Sequence, residues 1–548
     1  MTKSVSTFLT ITILVLTNHF CEGGSATWNL NPISGDWNTA GNWTPETIPN
    51  GPSDTATLGV SNITGVSLSS SVEVDAIVFN PGAGAFAITA SPSTSLTFSG
   101  SGITNNSGVV QALVTDSSPS LYFTNTATAG ELTSITVPPG SPMFDLYFSD
   151  NSDAGSATIT NESTDVQFEF GSGTRFADHS SAANATIVNA GGAVFLGNGT
   201  TVFIGSADAG NATIMSEAGT SGGPGNGQIS FIETSSAANA TVIAYGADRA
   251  SAFGGKTTFS GTTQTGPPTA ANATLIAYGN KLGHHSFGTI VFEGLADGGT
   301  AHVEVYGDGT LDITQHDPPG LTIGSLSGDG LVDLGNVNTG LTIGKGGFDS
   351  KFDGRISGGS VTKVGTGTLI LTQPNSYSNE TVVMAGNLVV RNRNGSATGS
   401  GPVQVLGGTL AGDGIISGAV NVVGSSHTAF LAAGTAVRHP GVLTIQSLLT
   451  FGTRGTYKCT LDSNSGIAAK VVADGVGING ALISLVDIGN TTLTPGTAFT
   501  VIDNTSPGPI SGAFSNLPEG ATIVVGRNTF QAGYEDGDGN DLTLTVVP

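Results

Sequence analysis

The chain has 548 residues, 82 of them glycine, and only 10% are Asp, Glu, Lys or Arg, against roughly 25% in an ordinary globular domain. Its formal net charge of −24 repels phosphate polyanions and anionic membrane surfaces, which excludes nucleic acid as a partner. A hydrophobic share of 38% excludes a disordered polymer, and Val, Ile, Leu and Phe set among Gly, Thr, Ser and Asn point to an all-β fold of short strands and tight turns.

Residues 1–26 read as a secretory signal peptide: Lys3, an apolar stretch from Phe8 to Leu16, then the small residues Gly23, Gly24, Ser25 and Ala26. That stretch is shorter than the roughly 20 residues a membrane-spanning helix needs, and no second candidate follows. No membrane-spanning segment is therefore expected after signal cleavage. Cys21 stands where a lipoprotein signal would place its cysteine, but Asn18-His19-Phe20 lacks the small residues that signal requires. Cleavage leaves Cys459, expected to fill a strand.

Residues 27–150 are expected to form an N-terminal β cap and the first coils. All three tryptophans, Trp28, Trp37 and Trp43, fall at its start. They are expected to form a hydrophobic plug closing the open end of a solenoid, which needs large side chains once, with an exposed aromatic surface for sugar rings as the alternative.

From residue 151 to 310 one phrase recurs, as in Ala183-Asn-Ala-Thr186-Ile, Gly210-Asn-Ala-Thr213-Ile, Ala238-Asn-Ala-Thr241-Val and Ala271-Asn-Ala-Thr274-Leu. Thr158 opens the series and His302 takes the threonine slot in a degenerate sixth copy, at intervals of 28, 27, 28, 33 and 28 residues. Such a period means a solenoid, because a repeat with strands this short buries its apolar face only by stacking on its neighbours. A second element keeps phase with the first: Phe168-Glu-Phe170, Val202-Phe-Ile204, Ile229-Ser-Phe231, Thr258-Phe259 and Val291-Phe292. Apolar side chains are expected in interior ladders, Thr and Asn in polar ladders, and glycine at the corners. Roughly ten coils over residues 151–430 would make a rod of about 50 Å. The Asn-Ala-Thr phrase also satisfies the N-glycosylation pattern, though stacking already accounts for its register.

Residues 311–445 continue the β-helix, and between Gly365 and Val390 the pattern sharpens. Gly365-Thr-Gly367-Thr-Leu369-Ile-Leu371 is followed by Asn375-Ser-Tyr377, then by Thr381-Val-Val383-Met-Ala-Gly386-Asn-Leu388-Val-Val390. This segment resembles the autotransporter-associated β-strand repeat, also called the passenger-associated transport repeat, departing from it at Gln373-Pro374 and Asn379-Glu380. Gly407-Gly-Thr-Leu410, Gly412-Asp-Gly414 and Gly441-Val-Leu443 extend the resemblance over about residues 320–450. It implies a right-handed parallel β-helix, and roles in surface display, adhesion or support of secretion. The family's membrane barrel needs roughly 250 further residues. The chain runs to Asp541-Leu-Thr-Leu-Thr-Val-Val-Pro548 without one, so release or attachment through a partner is expected.

Residues 446–548 carry longer apolar strands and are expected to form a C-terminal β-rich domain. Within them Asp536-Gly-Asp538-Gly-Asn540-Asp541 is either a hairpin turn or a single calcium loop, although the EF-hand glycine and glutamate slots hold Asp541 and Val547.

A lyase needs a basic side chain beside clustered carboxylates, and a glycoside hydrolase needs two carboxylates about 5–10 Å apart. The nearest pattern is Asp349, Lys351, Asp353 and Arg355, whose alternation fits one exposed strand face. His284-His285 and His316-Asp317 lie beside glycine or proline with no partner at zinc spacing. No catalytic, cofactor-binding or metal-binding residue is assigned. The expectation is a secreted or cell-surface structural, adhesin-like β-solenoid without catalysis, meeting glycans or other cell surfaces. The alternative is a polysaccharide-binding or polysaccharide-degrading protein on the same fold.

Overall fold

The computed structural model describes residues 23–115, 120–140, 144–166, 170–194, 197–220, 225–248, 252–280, 286–336, 338–434 and 440–548. The signal peptide through residue 22, and His284-His285, lie outside the described residues. Among those described, secondary structure is almost wholly β, with one 3-10 turn at Ala40–Asn42.

The strands stack into a parallel β-helix. A first sheet of 15 strands starts at the N-terminal end and finishes at Arg355–Ser357, parallel throughout except where Trp43–Thr44 meets Ala26–Trp28. A second, longer sheet runs from Gly65–Leu68 to Leu482–Asp487, again parallel apart from the short Ile467–Ala468. The third side of each early coil is a row of single bridges, Thr128–Asp153–Ser181–Asp208–Ser236–Thr269–Asp297. A nine-stranded parallel sheet, Gly320–Ile323 to Ser511–Ala513, takes over that side, with Gly298 packed against the Thr322 carbonyl. The parallel ladders pass residue 446 without a break. A seven-stranded sheet covers the C-terminal end, where Asn528–Asp536 turns back antiparallel between Thr522–Val525 and Asp541–Val547.

The repeated phrase is in register, since Thr158, Thr186, Thr213, Thr241, Thr274 and His302 are successive Cα partners in the second sheet. Just before each copy, the side-chain oxygen of the first residue of a tight turn accepts the backbone N–H two residues on. Asp153 thus accepts from Gly155 N, Ser181 from Ala183 N, Asp208 from Gly210 N and Ser236 from Ala238 N, at 2.7–3.0 Å. The turn requires positive φ, which glycine supplies at Gly155 and Gly210. Alanine instead holds it at Ala183, Ala238 and Ala271, with φ of 49–50°, so at this one turn glycine shares the corner with alanine.

Eight phenylalanines, Phe98, Phe123, Phe148, Phe176, Phe203, Phe231, Phe259 and Phe292, form one interior stack with centroids 4.6–4.8 Å apart. Phe176 fills the place in this row that the sequence pattern gave to Phe168-Glu-Phe170. Phe168 lies outside the described residues. Beside the stack, buried Asn161 and Asn189 are joined at 2.8 Å and receive hydroxyls from Thr174 and Thr201 at 2.7 Å, so the interior amides are satisfied.

Coil length is not constant. Thr174 and Thr201 stand 27 residues apart in the first sheet, whereas the paired Thr368 and Asn387 of the second are separated by 19. Residues 151–430 therefore hold about a dozen levels of the second sheet, a few more than a constant period would give, and roughly 60 Å of rod.

Candidate functional site

The tryptophans make a plug. Trp28, Trp37 and Trp43 are at most 2% exposed, with Trp43 edge-on to both partners at 4.8–4.9 Å. Their indole N–H groups donate to the carbonyls of Ile63, Pro49 and Trp37. Buried rings with spent donors offer no face to a sugar.

The charged group Asp349 to Arg355 does not share one strand face. Lys351 lies on Ser350–Phe352 of the second sheet, Arg355 opens Arg355–Ser357 of the first, and the corner at Gly354 separates them. Asp349 accepts the Thr368 N–H at 2.6 Å, and Lys351 pairs with Asp353 at 2.7 Å in the open, an exposed pair worth at most about 1 kcal/mol. Asp349 and Lys351 do edge a shallow hollow of about 620 Å³ with Ser327, Thr368 and Ile370.

His316 is 9% exposed, and its ring nitrogens face the carbonyls of Asp317 and Ala296 at 2.7 and 2.8 Å, so both are directed at the backbone and not at an open metal position. Asp536 and Asp541 flank a hairpin turn. Asp536 accepts the Thr543 hydroxyl, and Asp541 accepts the Asn504 N–H at 2.9 Å. Burial raises the Asp541 carboxyl above its ordinary range, opposed by that backbone N–H. Cys459 is buried, and burial pushes its thiol up to about 12, which makes it a core residue and not a nucleophile.

Lys363 was not legible as special. It occupies an inward position between Ile343 and Val383 and is 1% exposed, yet its ammonium reaches the carbonyls of Val364 and Gly365 at a coil corner. Desolvation lowers it to about 8, opposed by Asp349. Sealed inside the rod, it closes a corner and meets no substrate.

The outer face of the first sheet carries a groove of about 450 Å³ that sequence reasoning missed. Its floor takes Lys256 from one strand, Thr289 and Glu293 from the next, then Asp312 and Asp333, with Thr289 paired to Lys256 and Asp333 paired to Asp312. Its wall is Phe253, 51% exposed, and the partly exposed Phe287. Asp312 and Asp333 each spend one oxygen on the backbone N–H two residues ahead, at 2.9 and 3.0 Å, and keep the other for the groove. These residues span most of a hundred positions, so only the coil register brings them together.

The segment from Gly365 to Val390 forms one coil and part of the next. Thr368–Leu371 and Asn387–Val390 pair in the second sheet, and Thr381–Val383 lies in the third. Asn375 ties three levels, accepting from Ile356 N at 2.7 Å and donating to the Ala397 carbonyl at 2.5 Å. Tyr377 is fully buried, with its hydroxyl 2.7 Å from Thr381. Gly365 and Gly386 turn the corners at φ of 67 and 66°. Residues 361–390 match the family model of the passenger-associated-transport-repeat. The asparagine, tyrosine, threonine and glycines that mark the motif thus hold a coil together.

Over 105 residues, 18% of its length, the chain is 38% identical to the "Adhesin BmaC autotransporter" of Brucella suis biovar 1 (strain 1330). The match spans 3% of that adhesin. Among solved structures, a crystal structure of the Haemophilus influenzae Hap adhesin aligns over 90% of this chain and 64% of that one, at 11% identity and a TM-score of 0.26. The fold assignment rests on the strand register. Among the described residues, no helix is long and apolar enough to cross a membrane.

Proposed function

We propose that the chain is a secreted or cell-surface, adhesin-like β-solenoid that acts by binding and not by catalysis. The observation that carries this reading is the passenger-associated-transport-repeat at residues 361–390, built into the rod as an ordinary coil continuous with those on either side. The similarity to a protein named as an autotransporter adhesin supports the same role. So does the architecture, a stiff stack that presents long side-chain rows to the outside.

The absence of catalysis belongs to the same reading. Most groups picked out as candidate chemistry are engaged: Lys351 by Asp353, His316 by two carbonyls, and Cys459 by burial, while Asp349 holds the Thr368 N–H with one oxygen.

Fluorescent beads coated with the purified protein test the proposal on glass carrying extracellular-matrix proteins or polysaccharides. Retention several-fold above albumin-coated beads is expected, with no new reducing or unsaturated ends when the protein is incubated with soluble polysaccharides. Retention on no surface, or release of such ends, would overturn it.

A further inference from the structure

We propose that the groove between Phe253 and Asp333 is a binding site for an uncharged oligosaccharide. This rests on the adhesive reading and names the class of ligand that one patch of the rod takes.

Other ligand classes fail on the groove's construction. Its floor strands are hydrogen-bonded on both sides, so an extended peptide finds no free main-chain edge to pair with. Three carboxylates against one lysine, in a molecule of net charge −24, repel nucleic acids, sulfated glycans and uronates. Val291 and the two phenylalanines make much of the lining apolar, but an acyl chain laid there would cover the Asp312 and Asp333 carboxylates without pairing them. Among the described residues, no group of three or more His, Cys, Asp or Glu side chains is placed to hold a metal ion.

What remains matches a sugar. A pyranose has an apolar C–H face and a rim of hydroxyls, and the groove has an aromatic wall and a floor that mixes Val291 with charged and hydroxyl groups. Phe253 supplies the ring surface. The free oxygens of Asp312 and Asp333, with Glu293, accept sugar hydroxyls in charge-assisted hydrogen bonds, while Lys256 donates and the Thr289 hydroxyl, whose proton goes to the Phe287 carbonyl, accepts. Adjacent floor strands stand about 4.8 Å apart, so a linear glycan lying along the rod would meet a polar group at every level. The open form of the groove admits an internal stretch of a chain as readily as its end.

The test is titration of the full-length secreted protein with cellohexaose, chitohexaose and hexagalacturonate, followed by calorimetry. Binding of at least one of the two uncharged probes is expected, with none of the uronate. Phe253→Ala and Asp333→Asn are each expected to weaken it tenfold or more at an unchanged melting temperature, because both side chains are exposed. No binding of either uncharged probe, preferential binding of the uronate, or full affinity in both variants would overturn the assignment. Bead retention separates the two readings: retention of wild-type protein without binding of any probe sinks the groove alone, whereas loss of retention sinks the adhesive role.

Discussion

Asp145 lies one level beyond Ser120 on the first sheet's side, fully buried, and among the described residues neither of its carboxyl oxygens has a hydrogen-bond partner. Burial raises the carboxyl from 3.8 to about 6. A raised carboxylate value means that folding favours the protonated form. The stability this residue permits is therefore complete below the ordinary carboxylate range and is lost as pH climbs from there through about 6. Asp145→Asn, which cannot ionise, should accordingly raise the melting temperature at pH 7.5 by the equivalent of up to about 3 kcal/mol, and give little at pH 4. Melting curves at the two pH values check this; an equal gain at both, or a loss at pH 7.5, would contradict it. Nothing in the sequence around Asp145 marks it, because its burial depends on the stacked coil and not on its neighbours in the chain. The tryptophans are the contrasting case, since their single cluster at the start of the solenoid already favoured a buried cap and all three are buried.

At the level of the element, the stacked rows decide stability. Phe203 is fully buried between Phe176 and Phe231, 4.7–4.8 Å from each. Phe203→Ala removes both contacts and leaves a cavity that parallel neighbours cannot close, so a loss of about 3–5 kcal/mol is expected. Urea titration reads it from the midpoint, and Phe203→Leu should recover a good part. A loss under about 1 kcal/mol would mean that the row does not hold the coil. The threonine phrase and its period were legible because each copy repeats one local turn with one register. The third side of the early coils was not, since a single bridge per level leaves no alternating pattern to read. Nor was the shorter coil after residue 320, where the family motif was recognised by its residue types without revealing how many levels the rod would hold.

On the scale of the whole molecule, the all-β solenoid followed from composition and period, while the groove did not, because its residues are far apart in sequence and adjacent only across coils. A charge of −24 spread along a rod keeps copies apart and leaves recognition to local patches of paired polar and aromatic groups. Everything proposed for the surface depends on the ladders forming one continuous stack from the tryptophan plug to the C-terminal hairpin. Roughly 18 levels of the second sheet at about 4.8 Å make a rod about 90 Å long. A compact globule of this chain length would have a diameter of roughly 60 Å. Small-angle X-ray scattering of the secreted protein measures the difference directly. A maximum dimension near 90 Å with a rod-like distance distribution is the predicted result, and a near-spherical particle of about 60 Å would contradict it.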